Sequence, residues 1–473
     1  MLITFAVFAV VFVSFLLGAL FYLAPRSHNP TSVPGMDPTD ENTGNLDDIS
    51  QAGSFHEFLQ TLHETHGPIA SFWYKTKYCI SVSSPSGFKD VQRLFDRPAL
   101  IFEFLYPLIG RKSIQFANGV EGMQRHKVAV DILGYKNAPD YFPKLLKISE
   151  ELCSAWKSFD VEEHIPVHEY MIAVAIRMIS SVQFGAHFQD LENTKQLMKT
   201  YNGVAKCWED LLSGALTPND TEKYSEYETC LKKLKDFVRE VIQAQKDARN
   251  EGDYEKAPLL DALIDDTDDD MEQLVGDVTT FFIGGFHTTG NLLAWCLYFL
   301  AIYPECQEKL RQELNQFKIE KFEDVNDLKY LSQVIDESLR LSQVAPLAAR
   351  VNDKEDMMVL GHRIPKGTPI INALGVSFFN ESLFPNPGDF DPDRFAKDKK
   401  RSNVDFVPFG VGQRRCPGYL FSRMEATAII SVLVKNLIMT PAFDNDVFIQ
   451  PSYGFVTKPE TEIWLKVRPV IEE

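Results

Sequence analysis

The stretch Phe409-Gly410-Val411-Gly412-Gln413-Arg414-Arg415-Cys416-Pro417-Gly418 decides the reading of this chain. It sets one cysteine in a glycine-loosened loop, with Arg414 two residues before it and Gly418 two after. Glycine carries no Cβ, so backbone N–H groups can approach a ligand or a sulfur closely. The following run, Tyr419 to Leu437, is apolar at helical spacing and puts Cys416 at a helix N-terminus. Partial positive charge there favours a thiolate over a thiol. A lone thiolate shielded by backbone amides is the donor that a haem iron needs. For a cysteine outside such a loop, burial as an inert side chain is the ordinary alternative.

Upstream of this loop lie two further charged patterns. Glu337-Ser338-Leu339-Arg340 places a carboxylate and a guanidinium three apart on one helix face, which taken alone reads as a surface pair. Phe390-Asp391-Pro392-Asp393-Arg394-Phe395 adds an arginine flanked by aromatic residues. Further back, Gly284-Gly285-Phe286-His287-Thr288-Thr289 interrupts a long apolar run. Two glycines weaken the local helical ladder there, and Thr288 is placed to bond back to the carbonyl of Gly284. Close helix–helix packing through glycine is the competing explanation.

The order E-x-x-R, F-x-P-x-R-F, F-G-x-G-x-R-x-C-x-G resembles the core of the cytochromes P-450, from the N-terminal segment to Trp464. The implied fold is mainly α with small β-sheets, a cytochrome P-450 fold preceded by one N-terminal transmembrane helix. By this resemblance Cys416 is the axial ligand of a haem b iron, with Phe409 and Gly418 in its loop. Glu337, Arg340 and Arg394 would form a buried ion triad. Arg125, Arg350 and Arg414 are candidates for the haem propionates, although Glu121 replaces the tryptophan of the family's W-x-x-x-R. Thr288 and His287 would serve proton delivery, His287 standing where the family's A/G-G-x-D/E-T has an acid. Gly53-Ser54-Phe55-His56-Glu57-Phe58-Leu59, Gly67-Pro68 with Ser71-Phe72-Trp73, and Ala373-Leu374-Gly375-Val376 look most like family twenty of the animal cytochromes P-450.

The chain has 473 residues, with no internal repeat and no convincing interdomain linker. Its seven cysteines are scattered without a C-x-x-C pair, which speaks against a zinc ribbon or a disulfide framework and for a reducing compartment. A formal charge of −18 argues against nucleic acid as a partner. Acid concentrates at 265–270, while Lys397, Lys399, Lys400, Arg401, Arg414 and Arg415 gather base near the cysteine loop. Met1 to Ala24 carries no charged side chain and, at its helical rise, spans roughly 30 Å or more. Residues 1–25 therefore read as a membrane anchor, 26–52 as a proline-containing hinge and 53–473 as the haem-binding catalytic domain.

Periodicity predicts an amphipathic helix at 54–65, a strand pair at 69–82 and helices over 121–245 broken at Pro139, Pro143, Pro166 and Pro218. A long helix is expected from 271 to 303, ended by Pro304, then two more helices to about 341 and short strands at 358–360 and 369–371. His63-Glu64-Thr65-His66 is one residue short of H-E-x-x-H, so it and His56-Glu57 read as polar faces of the first helix.

The implied reaction is RH + O₂ + two electrons + two protons giving ROH + H₂O. The resemblance implies electrons from NADPH through an acidic flavoprotein reductase docking near Arg415 and Lys399, at the endoplasmic reticulum with the domain in the cytosol. Phe102, Phe104, Phe281, Phe282 and Phe286 suggest an apolar small-molecule substrate, and membrane lipid is the other partner. Two alternatives remain at this point: a haem-dependent isomerase or dehydratase of a peroxide, and a non-catalytic haem- or lipid-binding protein. Relatives of the first kind tend to lose the threonine that Thr288 supplies.

Overall fold

The computed structural model describes residues 29–185, 191–217, 219–252, 256–267, 270–396, 401–443 and 448–471. The expected anchor at 1–25, Pro218 and the lysines at 397, 399 and 400 lie outside these residues. Among the described residues no helix is long and apolar enough to cross a membrane.

Past a short helix at Leu46–Gln51, which lies inside the stretch expected as a hinge, comes α1, Phe55–His66. Ser54 caps it by accepting from the Glu57 backbone N–H and donating to the Glu57 carboxylate at 2.8 Å, a reciprocal cap. Gly67, at φ +90°, stops it. The strands β1, Ile69–Tyr74, and β2, Lys77–Val82, then pair as an antiparallel hairpin. His56 and His63 are buried, which corrects their reading as part of a polar face. The His63 ring bonds the Gly67 carbonyl and the Ser81 hydroxyl, both at 2.7 Å, so it joins helix to hairpin.

The helical body contains α2, Gly119–Ile132; α3, Ala138–Lys157; α4, Val167–Ile179; α5, Leu191–Ala205; and α6, Thr221–Glu251. Pro143 lies inside α3 instead of breaking it. It sits in the second turn, where one backbone bond is lost, and the burial of Phe142, Leu145 and Leu146 around it offsets that loss.

The central element is α7, Met271–Ile302, about 48 Å long by its rise. Asp270 caps it by accepting from the N–H groups of Glu272 and Gln273. Nearly every residue from Gly290 to Ala301 is buried, so this half runs through the core on all sides. The two adjacent glycines divide the two expectations between them. A Cβ on Gly285 would lie 2.8 Å from the Ile179 side chain, so this glycine lets α7 press on α4. A Cβ on Gly284 would meet nothing within 4 Å, so this one faces open space.

Two helices follow: α8, Pro304–Gln316, and α9, Lys329–Ser342. The strands β3, Ala348–Val351, and β4, Pro369–Asn372, complete a four-stranded sheet in the order β1-β2-β4-β3. Only β2 and β4 pair in parallel. A final helix, α10, Tyr419–Asn436, leads into β5, Leu437–Pro441, which pairs antiparallel with β6, Trp464–Pro469.

The structure brings Glu337, Arg340 and Arg394 together in the interior, with Glu337 and Arg340 at zero exposure. Arg340 donates to both Glu337 oxygens at 2.8 Å, and Arg394 Nε donates to Oε1 at 3.0 Å. The Asp391 backbone N–H adds a fourth donor at 2.9 Å. The remaining guanidinium groups donate to the carbonyls of Phe378, Pro385, Asn386, Pro387 and Asp389. A buried ion group of this kind is tolerated because each of its charged side chains is held by several hydrogen bonds. Glu337→Ala strands two buried cations, and a loss of about 3–5 kcal/mol is expected, read as a lower midpoint in chemical denaturation. A parent-like midpoint would contradict the assignment.

Candidate active site

The cysteine loop is shaped by its glycines. Gly410 and Gly412 have φ of +80° and +69°. Gly412 also packs so tightly that a Cβ would overlap the Gln92 carbonyl at 1.7 Å. The loop closes through the Cys416 N–H, which donates to the Phe409 carbonyl at 2.9 Å. This sets Cys416 three residues before the start of α10. Its sulfur opens onto a cavity while protein packs densely behind it. Burial pushes the Cys416 thiol up, and the Gly418 N–H with the charges of Arg97 and Arg415 pulls the other way.

The cavity measures about 320 Å³. Phe409, Cys416 and Gly418 line one wall, and Gly284, Thr288 and Thr289 of α7 line another. Thr288 donates to the Gly284 carbonyl at 2.8 Å, as its spacing predicts, which leaves its oxygen lone pairs to accept from a water. Most other lining side chains are apolar, among them Leu133, Phe281, Val344 and Leu347. Phe102, Phe104, Phe282 and Phe286 pack in the core, leaving Phe281 as the cavity-lining member of the predicted aromatic set.

Three guanidiniums face this cavity: Arg97, Arg350 and Arg414. Among the described residues none has a carboxylate within salt-bridge distance. Arg350 donates to the carbonyls of Ala349 and Arg414, and Arg414 to that of Ile114. Arg350 Nε and Arg414 Nη1 are buried with no partner. Burial lowers the pKa values, to about 10 for Arg97, 9 for Arg350 and 8 for Arg414. Repulsion from Arg97 adds to the effect at the other two. Unmatched buried cations call for an anion. A flat apolar ring with two carboxylates and a thiolate-seeking iron meets all of these demands, so the residues present fit haem.

Arg125 differs from its expected place. It is buried beside Asp277 of α7, donating to both carboxylate oxygens at 2.7 and 2.6 Å, and to Glu121 at 2.9 Å. Asp277 also accepts from the Ile114 N–H at 2.6 Å. Burial raises the Asp277 pKa to about 6 against the opposing charge of Arg125. Asp277, an acid in an otherwise apolar helical run, was a legible sign that some cation must reach it. Arg97, in contrast, sits in a loop with no periodic signal and was missed.

His287 is not among the cavity-lining residues. Its Nδ1 lies 2.5 Å from the Tyr201 hydroxyl of α5, and its ring packs edge-on to Tyr201 and Trp208. Burial lowers its pKa to about 3, so the imidazole is neutral near pH 7. One residue along a helix turns a side chain by about 100°, which is why His287 and Thr288 face different neighbours. The predicted basic surface is also smaller than its sequence suggests. Arg414 points into the cavity, and Arg401 stacks on Phe384 and Phe395 at 4.5 and 4.8 Å. Arg415 stays exposed, over the Tyr419 ring at 3.8 Å.

A thiol facing a threonine-lined helical groove across an apolar cavity with unmatched guanidiniums fits a haem-thiolate protein. The cytochrome P450 family model matches residues 34–465. Cytochrome P450 20A1 of rat is 32% identical over 470 residues, covering 98% of each chain. The mouse and human proteins of the same name are 33% and 30% identical, with 98% coverage on both sides. The chain belongs to the cytochrome P450 family, whose members are haem-thiolate monooxygenases, and within it resembles family twenty along its whole length.

The two arginine placements separate by experiment. Arg97→Ala is expected to release haem to excess apomyoglobin several-fold faster than the parent. Arg125→Ala should lower thermal stability, with a smaller effect on the haem-loss rate of the folded fraction. Equal haem loss from both variants would contradict this division.

Proposed function

We propose that this protein is a membrane-bound monooxygenase that inserts one atom of O₂ into an apolar organic substrate, with electrons from NADPH through a flavoprotein reductase. The observation carrying this reading is that Cys416 and the Gly284–Thr288 turn line one apolar cavity with unmatched guanidiniums. In this reading Cys416 would hold the haem iron, and Arg97, Arg350 and Arg414 would hold its propionates. The haem, when bound, supplies activation of O₂. The protein's share is binding, orientation and proton handling.

Thr288 holds a water at its hydroxyl oxygen, since its own proton is committed to Gly284. His287 lies off the cavity, where its hydrogen bond with the Tyr201 hydroxyl fixes α5 against α7 and so supports the turn that carries Thr288. The apolar lining favours an uncharged substrate, since most lining side chains are apolar and in this reading the three guanidiniums face the haem edge. The uncharged segment 1–25 supports a single-pass anchor, and the endoplasmic reticulum is the membrane this reading assigns, with the catalytic domain in the cytosol. Cosedimentation of the full chain, and not of residues 26–473, with washed vesicles would support the anchor.

Cys416→Ala is expected to lose the thiolate-type absorption band of the reduced, CO-bound protein, and an unchanged band would overturn the reading. Product formed per NADPH consumed tests the proton handling. Thr288→Ala should divert electrons to hydrogen peroxide. His287→Ala should do the same more weakly, and His287→Asp, which can still accept from Tyr201, should restore coupling. Unchanged coupling in both alanine variants would rule out these roles.

A further inference from the structure

The cysteines are free thiols that the sequence scatters, yet the fold brings two of them to one residue. Cys207 follows the end of α5, and Cys230 lies on α6. They meet at Gly203, in the last turn of α5. Cys207 Sγ points at the Gly203 carbonyl, 3.9 Å away. Against the same residue, a Cβ on Gly203 would lie 2.5 Å from Cys230 Sγ, so that sulfur occupies the space a larger residue would fill. The backbones of α5 and α6 thus approach through a glycine, with both thiols at the crossing. A disulfide spans about 4.4–6.8 Å between Cα atoms, and a glycine at the contact removes the side chain that would hold the two helices further apart.

Cys230 is half-buried, so an oxidant reaches it before the buried Cys207. We propose that Cys207 and Cys230 form a peroxide-sensitive thiol pair that closes to a disulfide and ties the end of α5 to α6. Hydrogen peroxide oxidises the Cys230 sulfur to a sulfenic acid, and one water leaves. The Cys207 sulfur then attacks that of Cys230, forming the S–S bond and expelling the hydroxyl, which takes the Cys207 proton and leaves as the second water. In sum, two thiols and one hydrogen peroxide give a disulfide and two waters. Burial raises the Cys207 thiol, while Lys223 and Lys206 pull it down and so favour the thiolate that attacks. In a reducing compartment the pair rests as thiols and closes only where peroxide is present. Peroxide is what uncoupled turnover at the cavity releases, so the inference rests on the monooxygenase reading for its local oxidant, although not for the pairing. Closure would fix Trp208, next in the chain, whose ring packs on Tyr201 and His287 at 5.7 and 5.8 Å.

The test uses the reduced full-length protein with haem bound, treated with a small excess of hydrogen peroxide, alkylated in denaturant and digested with trypsin without reduction. Cleavage after Lys206, Lys223 and Lys232 separates the two cysteines, so the disulfide appears as peptide 207–223 joined to peptide 224–232. This linked pair is expected as the main cross-linked product, lost on adding dithiothreitol. Cys79 and Cys296, fully buried and with thiols pushed up to about 12, should stay reduced. In Cys207→Ser the sulfenic acid has no thiol to meet, and dimedone should label Cys230 several-fold more than in the parent. Cys230 left unoxidised in the parent, or joined to a different cysteine, would overturn the proposal. Equal dimedone labelling in parent and Cys207→Ser would do the same. If Cys207→Ser does not fold, the peptide map of the parent decides alone. A protein that inserts no oxygen at the expense of NADPH would defeat the monooxygenase reading, while added peroxide would still judge the pair.

Discussion

The carboxylate of Glu337 is the point on which the lower half of the molecule depends. It accepts from Arg340 in its own helix, from Arg394 and from the Asp391 backbone, while the same arginines gather carbonyls from 378 to 389. Chain without regular secondary structure is thereby held to a helix by charge-assisted bonds, stronger than neutral ones. The Cys416 loop grows out of that segment. Without the carboxylate, two guanidiniums would be buried with no counter-charge and the segment would lose its reason to stay folded inward.

Above this scaffold the molecule is built around a charge imbalance. Arg97, Arg350 and Arg414 come from a loop, from β3 and from the cysteine loop, and they are brought into mutual repulsion at the cavity. Arg125 shows the opposite solution close by, since Asp277 reaches it from α7. The contrast leaves one group of arginines without an anion, while Arg125 has one. It also ties cofactor binding to stability, because an anion that relieves buried cations stabilises the folded state alone.

The long helix α7 carries both packing and chemistry through adjacent residues. Gly285 closes against α4 while Gly284 opens the groove, and Thr288 faces the cavity while His287 and Thr289 meet α5 and α10. A helix buried on several sides presents different neighbours every 100°, so a short motif can serve three contacts at once. Polar groups at this depth must each find a partner, and here the partners are side chains of other helices.

Much of this was legible in the chain alone. The hairpin at 69–82, the reach of α7 and its end before Pro304 follow from local patterning, caps and proline, whose effects act within a few residues. The loop at 409–418 pointed to its family through residue types at fixed spacing, and the Thr288 bond to Gly284 is set by helix geometry. Pro143 shows where local rules fail, since tertiary burial held α3 together across it. The direction of His287, the pairing of Arg125 with Asp277 and the arrival of Arg97 at the cavity were decided by tertiary structure. Each depends on which distant side chain arrives opposite and on how much water is excluded there. Local sequence encodes neither quantity, because burial and long-range partnering exist only once the helices have packed.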